Sequence, residues 1–343
     1  MNKKSGKPTL TDIARTAGLT ESTVSKALRG ESDINPSTAA RVRKIAAQIG
    51  YDATRLNSRV RDDFTVGAVF SELNSEYYHG MYDAFREKMK EGGARVVTMV
   101  TDYSDGEAVN DAVEYLLKRR AGGLFVLSDV GSDLARVREL IKKSGTPSVF
   151  VTNETDLDFC DSINVNHPIG VNLILSELLR LGHERIAFVG DRYTVARERV
   201  FRQMMERSDC GLREELVSIS AGRSVAGGYE AAGRILDLPE GRRPTAVFAA
   251  YDNLAYGVYR AAAERGIRIP EDLSVGSIDD NQASACMTPG LTSVRVPVQE
   301  IGERAAGLIL SRMRGDPSPL NSILLTPAIV KRGSISVPKG AKL

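Results

Sequence analysis

Apolar positions in the first fifty residues recur at helical spacing in three short runs. Ile13, Ala14 and Ala17 share one face of a predicted helix. Thr11 is placed to cap that helix, and Gly18 supplies the permissive backbone that ends it. Thr20 is placed to cap a second helix. At about 100° per residue, Val24, Ala27 and Leu28 fall on one side of it, and Glu21, Ser22, Ser25, Lys26 and Arg29 on the other. Asn35 and Pro36 open a third helix, where a missing proline N–H costs little. Val42, Ile45, Ala46 and Ile49 form its apolar stripe, and Arg41, Arg43 and Lys44 keep it basic. Two short helices joined by a tight turn, with a third behind them, can set one helix in a DNA major groove.

After a polar, charged stretch at 52–63, read as a linker, the pattern changes. Predicted strands are Val66–Phe70, Arg95–Val100, Gly123–Leu127, Ser148–Val151, Ile186–Val189, Ala246–Ala249, Ser274–Ser277 and Ile323–Thr326. Helical segments such as Tyr78–Glu91, Gly106–Arg119, Pro168–Leu181 and Asn253–Arg265 lie between them. This alternation predicts an α/β core of parallel sheets covered by helices, with strands enough for two sheets.

Charge sharpens the division. The 343-residue chain carries only +2. Residues 1–61 hold 12 lysines and arginines against 5 acids, so this segment is +7 and the remainder −5. A basic segment on a slightly acidic body fits an electrostatic anchor for nucleic acid. The alternative, a solvated helical cap on an enzyme, is outweighed because capping, turn glycine and charge agree.

Composition narrows the class. No run of about 18 apolar residues marks a membrane span. The opening Met-Asn-Lys-Lys-Ser-Gly-Lys-Pro lacks the apolar stretch of a secretory signal. Cys160, Cys210 and Cys286 are an odd, scattered set, which fits a reducing, cytoplasmic compartment. His79, His167 and His183 lack ligand spacing, so neither metal nor cofactor is expected. No nucleophile elbow or phosphate-binding glycine loop is present. Asp279 and Asp280 are adjacent at a predicted strand end and diverge, which makes a poor catalytic pair. His183 reads as a structural residue at a helix-to-strand turn. Binding rather than catalysis is expected.

The residues Thr9-Leu10, Asp12-Ile13-Ala14, Ala17-Gly18, Thr23-Val24-Ser25, Ala27-Leu28 and Gly50-Tyr51 resemble the headpiece of the lactose/galactose repressor (LacI/GalR) family. The resemblance continues to about residue 332. It implies an all-α helix-turn-helix headpiece at 1–51 and a hinge at 52–63. It also implies two periplasmic-binding-protein-like subdomains, 64–163 with 293–321 and 164–292 with 322–343. The chain would cross between them near Asn164, Thr292 and Asn321, with a ligand cleft outside the carboxyl ends of the strands. The implied function is transcription regulation, as a repressor. A homodimer would bind a pseudo-palindromic double-stranded DNA operator under control of a small-molecule effector. That effector would be a sugar or sugar derivative. The C-terminal residues lack a heptad tail, which argues against a tetramer.

Candidate base-reading residues are Glu21, Ser22 and Lys26. Lys26 can donate to guanine O6 and N7, and Glu21 can accept from cytosine N4 or adenine N6. Glu21 also reads as simple compensation of a helix dipole. Leu10, Thr20, Thr23, Ser25, Arg29, Asn35 and Thr38 are candidates for phosphate contact. The resemblance implies that the linker folds on DNA and wedges into the minor groove, with Arg55, Leu56, Asn57 and Val60 taking part. Ala53, Asn57 and Ser58 depart from the family pattern there, and a plain flexible linker is the alternative.

The implied effector-binding residues are Tyr77, Tyr78, Val165, Arg197, Arg223, Tyr251 and Asp279. On the residues alone, the favoured reading of Arg197 is an ion-pair partner of Glu198 or Asp191. The favoured reading of Asp279 is then a turn acid at a strand end, and the alternative for Arg223 is a solvent-facing side chain. Tyr251, Arg223, Tyr77-Tyr78 and Arg202-Gln203 depart from the usual family pocket. Two arginines among tyrosines would suit a sugar acid or phosphorylated sugar. Two rival classes are a binding protein without DNA function and a regulator with a vestigial effector site controlled by a protein partner.

Overall fold

The computed structural model describes residues 8–29, 34–49, 51, 64–102, 105, 107–127, 134–152 and 157–340. In the headpiece, α1 (Leu10–Ala17), α2 (Glu21–Arg29) and α3 (Pro36–Gln48) close around a small core. Ile13, Val24, Ala27, Val42 and Ala46 are buried in it, with Leu28, Ile45 and Ile49 packed at its edge. The cap of α1 is Thr9 rather than Thr11, which lies within the first turn. Thr9 Oγ1 accepts the Asp12 N–H, and the Asp12 carboxylate accepts the Thr9 N–H at 2.9 Å. This reciprocal box needs an acid three residues after the cap. Asp12 provides it for Thr9, whereas Ala14 stands at that distance from Thr11. Gly18 ends the helix with φ 63°, in the left-handed region. Thr20 caps α2 by accepting the Thr23 N–H at 3.1 Å, and Asn35 caps α3 by accepting the Ser37 N–H at 2.9 Å. Arg41 donates to the Ala17 carbonyl at 3.0 Å, tying α3 to the end of α1.

The core holds two six-stranded sheets. The first contains β1 (Thr65–Phe70), β2 (Arg95–Val100), β3 (Gly123–Leu127), β4 (Ser148–Val151), β5 (Asp161–Val165) and β11 (Ser322–Leu325). Its order is β11-β5-β4-β3-β1-β2, parallel throughout. The second contains β6 (Ile186–Asp191), β7 (Val217–Ser220), β8 (Ala246–Ala249), β9 (Ser274–Asp279), β10 (Thr292–Arg295) and β12 (Ala328–Val330). Its order is β12-β10-β9-β8-β6-β7, and only β12 runs antiparallel. The inner strands β3, β6 and β8 are buried at every position. Helices cover both of their faces, which is why they read as continuous apolar runs.

Helices α4 (Glu76–Glu91), α5 (Ala108–Lys118), α6 (Ala135–Ser144) and α12 (Val298–Met313) flank the first sheet. The second is flanked by α7 (His167–Arg180), α8 (Val195–Arg207), α9 (Val225–Leu236) and α10 (Asp252–Glu264), with the short α11 (Gln282–Cys286) after β9. The α9–α10 contact is glycine-dependent. A Cβ on Gly257 would stand 2.3 Å from both the Tyr229 nitrogen and the Val225 oxygen.

The expected crossings move toward the C-terminus. Thr292 lies inside β10, so 293–295 belong to the second sheet. Residues 322–325 form β11 of the first sheet, not part of the second subdomain. The chain therefore crosses near 166, 297 and 327, immediately after β5, β10 and β11. Asp161, almost fully buried, holds the β11 edge. It accepts from Arg312 at 2.9 and 3.0 Å and from the Asn321 N–H at 2.6 Å. Burial raises its pKa, but Arg312 and Asn321 outweigh that and hold the carboxyl below its ordinary value.

Candidate functional site

A cavity of about 400 Å³ opens between the two sheets, at the carboxyl ends of their strands. Its walls include Tyr77, Tyr78 and Val165 from the first subdomain and Arg197, Arg223, Tyr251 and Asp279 from the second. All seven cleft residues singled out from the sequence are thus brought together. Helix N-termini supply much of the lining: Ser75, Tyr77 and Tyr78 at α4, His167 and Pro168 at α7, Ala196 and Arg197 at α8, and Tyr251 and Asn253 at α10. The positive ends of these helix dipoles bias the cavity toward negative charge and hydrogen-bond acceptors.

Arg197 is only 9% exposed. It forms neither ion pair considered from the sequence. Glu198 pairs with Arg202 at 2.8 Å, and Asp191 lies 3.8 Å from Arg223. Arg197 donates instead to the Ala250 carbonyl, lies 3.5 Å from His167 Nδ1 and stacks 4.7 Å from the Tyr251 ring centre. Nor does Arg223 turn to solvent. Its Nη2 donates to the Tyr251 hydroxyl at 2.9 Å and its Nη1 to the Tyr78 hydroxyl at 3.1 Å, across the cleft. Its guanidinium carbon lies 4.5 Å from the Tyr251 ring centre. Burial pushes the Tyr251 hydroxyl up to about 12, against the two arginines, so it remains a neutral phenol.

Asp279, at the end of β9, has φ 133°, a conformation that L side chains rarely adopt. The next residues hold it there. The Asp280 N–H donates to Ser293 Oγ at 3.1 Å, and the Asn281 N–H donates to Asp252 Oδ2 at 2.8 Å. Asp252 is fully buried beneath the cleft and also accepts from the hydroxyls of Ser277, Ser284 and Ser293. One carboxylate therefore joins β9, β10, α10 and α11 under the site. Burial raises its pKa, against those four donors. Burial likewise pushes the Asp279 carboxyl up to about 7, with Asp252 adding to it and Arg197 opposing it. Burial, with Arg197 nearby, holds His167 neutral down to about 3.

His167, Tyr193, Asn164 and Asn281 also line the cavity and were not singled out from the sequence. The available signal was position: each lies at or just after the end of a strand. His183, in contrast, is buried between Thr245 Oγ1 and the Ser336 carbonyl, both at 2.9 Å. No group of three metal-ligating side chains occurs among the described residues. No described helix is long and apolar enough to cross a membrane.

On the headpiece, Glu21 and Ser22 are exposed and Lys26 is half-buried, opposite the buried Val24 and Ala27. Thr20 and Thr23 share a hydroxyl–hydroxyl bond of 2.8 Å, and Ser25 and Thr38 are half-buried. Asn35 is exposed, with its Oδ1 engaged in the cap. The Leu10 side chain packs against the headpiece core rather than standing free with the hydroxyls. The Arg29 side chain and the hinge residues Arg55, Leu56, Asn57 and Val60 lie outside the described residues.

Residues 9–53 match the bacterial regulatory proteins of the lacI family, and residues 175–335 match the periplasmic binding protein-like domain. An HTH-type transcriptional regulator of Streptomyces limosus is 30% identical, over 97% of this chain and 96% of its own. The lactose operon repressor of Escherichia coli is 26% identical, over 96% of this chain and 91% of its own. The crystal structure of the lac repressor dimer bound to operator and the anti-inducer ONPF superposes with a TM-score of 0.70 at 25% identity. That match covers 96% of this chain and 100% of the repressor chain. With the helix-turn-helix, the paired sheets and these full-length likenesses together, the chain belongs to the lacI family of bacterial regulatory proteins.

Proposed function

We propose that this chain is a cytoplasmic homodimeric repressor that reads a pseudo-palindromic operator and answers to a sugar or sugar derivative in its cleft. The observation that carries the reading is the two-sided α2. Val24 and Ala27 are buried while Glu21 and Ser22 face outward, so a polar edge stands clear of the headpiece core. Lys26 donates to guanine, Glu21 and Ser22 set the neighbouring bases, and the flanking hydroxyls hold the register on phosphate. Leu10 contributes its backbone N–H, since its side chain is packed inward. Leu56 and Val60 enter the minor groove as a short wedge.

The cleft lies between two halves joined by three adjacent crossings. A ligand that prefers one arrangement of the halves changes the spacing of paired headpieces. The protein acts by binding, and a sugar that stabilises it is recovered unchanged.

Selection from a random duplex library tests the DNA reading. Lys26→Ala is expected to relax preference at one base step in each half-site while the other positions keep theirs. Uniform weakening on every sequence would show that Lys26 touches only phosphate.

A further inference from the structure

The cleft brings two guanidinium groups to one wall. Arg197 is nine-tenths buried, yet no carboxylate lies within 4 Å of it among the described residues. Its neighbours are a carbonyl, an imidazole and the face of Tyr251. Buried guanidinium groups are ordinarily paired with an anion, because desolvation of an unpaired charge is costly. Arg223 donates to two phenol oxygens, and its Asp191 contact is 3.8 Å long. Both guanidinium carbons lie within 5 Å of the Tyr251 ring centre, so they are less than 10 Å apart.

We propose that the cleft takes an anionic polyol, a sugar carrying a carboxylate or a phosphate, and that Arg223 is the residue that selects the anionic group. This rests on the reading of the cleft as the effector site. Arg223 offers a planar fork suited to either oxyanion. The hydroxyls of Tyr78 and Tyr251, already on that fork, turn to donate to the same oxyanion. The helix N-termini around the cavity favour the same charge. Two acids stand against it: Asp191, whose contact with Arg223 is long at 3.8 Å, and Asp279, whose carboxyl, pushed up by burial to about 7, is part-protonated at neutral pH. Arg197 adds its charge to the same anion, and the sugar hydroxyls are left to Asp279 and Asn281.

The test is calorimetric titration of the full-length protein with matched sets: glucose, glucuronate and glucose 6-phosphate; galactose and galacturonate; ribose and ribose 5-phosphate. The expected result is binding of at least one anionic member at least tenfold tighter than its neutral parent. The carboxylate and phosphate arms tell which oxyanion is read. Arg223→Gln is expected to weaken the anionic member by about 10- to 100-fold and its neutral parent by less than about threefold. Arg223→Lys should recover part of the loss. Unchanged melting in the absence of ligand shows that the variants fold. Neutral parents binding as tightly as their acids would overturn the charge inference while upholding the effector site. Equal loss for both members in Arg223→Gln would overturn the role of Arg223. Binding by no member of any set would overturn both this inference and the effector reading.

Discussion

His167 and Asp279 line the same cavity, and both are perturbed near Arg197, but they drive stability in opposite directions as pH falls. Burial and Arg197 push His167 down to about 3 from an ordinary 6.5. Between pH 7 and pH 5 the unfolded chain therefore takes up a proton that the folded chain refuses. Stability from this residue is fully present above 6.5 and falls as pH drops below it. At about 1.4 kcal/mol per pH unit, the loss by pH 5 is about 2 kcal/mol. Asp279 is raised to about 7 from 3.8. Its folded carboxyl takes up a proton as pH falls through 7, while the unfolded one stays ionised until about 3.8. The fold gains about 2 kcal/mol over the same interval.

In the native protein these two terms nearly cancel, and single substitutions separate them. Asp279→Asn is expected to lose about 2 kcal/mol relative to the parent between pH 7 and pH 5. His167→Gln is expected to gain about the same. Urea denaturation followed by circular dichroism, at both pH values for all three proteins, gives the differences directly. Other groups that titrate in this interval, the buried His183 among them, are common to the three and drop out of the comparison. Parallel midpoint shifts in parent and variants would show that neither residue is perturbed as described.

Three further outcomes follow from the packing. Gly257→Ala places a methyl 2.3 Å from two backbone atoms of α9, so it should cost about 2 to 3 kcal/mol, read as a lower denaturation midpoint. Asp161→Ala strands the mostly buried Arg312 and should cost about 3 kcal/mol; a change within error would show that the carbonyls around Arg312 suffice for it. Thr9→Ala removes half of the capping box and should cost α1 about 1 kcal/mol. Faster amide exchange confined to the headpiece is the readout.

The headpiece was legible because each of its helices buries one face and carries a local capping residue. The Thr11 assignment failed on a local point as well, since the acid partner of the box decides which threonine caps. The inner strands were legible as continuous apolar runs. Strands β5, β7, β10 and β12 were not. Each is three to five residues long; β5 and β7 interrupt their apolar residues with polar ones, and β10 holds a single apolar residue, Val294. Two of the three crossings were misplaced: β10 was not read as a strand, and β11 was read but given to the second subdomain. In the cleft, resemblance pointed to Arg197 and Asp279, but their partners are long-range. Tyr78 and Arg223 stand 145 residues apart. The donors to Asp252 come from β9, β10 and the α11 region, and no spacing along the chain announces such a convergence.

The order of strands bears on how the protein is made. The first sheet receives its last strand from residues 322–325 and the second from 328–330. During synthesis both sheets therefore wait, with an open edge at β5 and another at β10, until residues 322–330 have left the ribosome. Exposed strand edges are templates for pairing with other chains. A nascent chain stopped near residue 320 would carry two such edges at once. Residues 322–330, which also bring Leu324 to the cavity wall, thus decide whether either half of the core is finished.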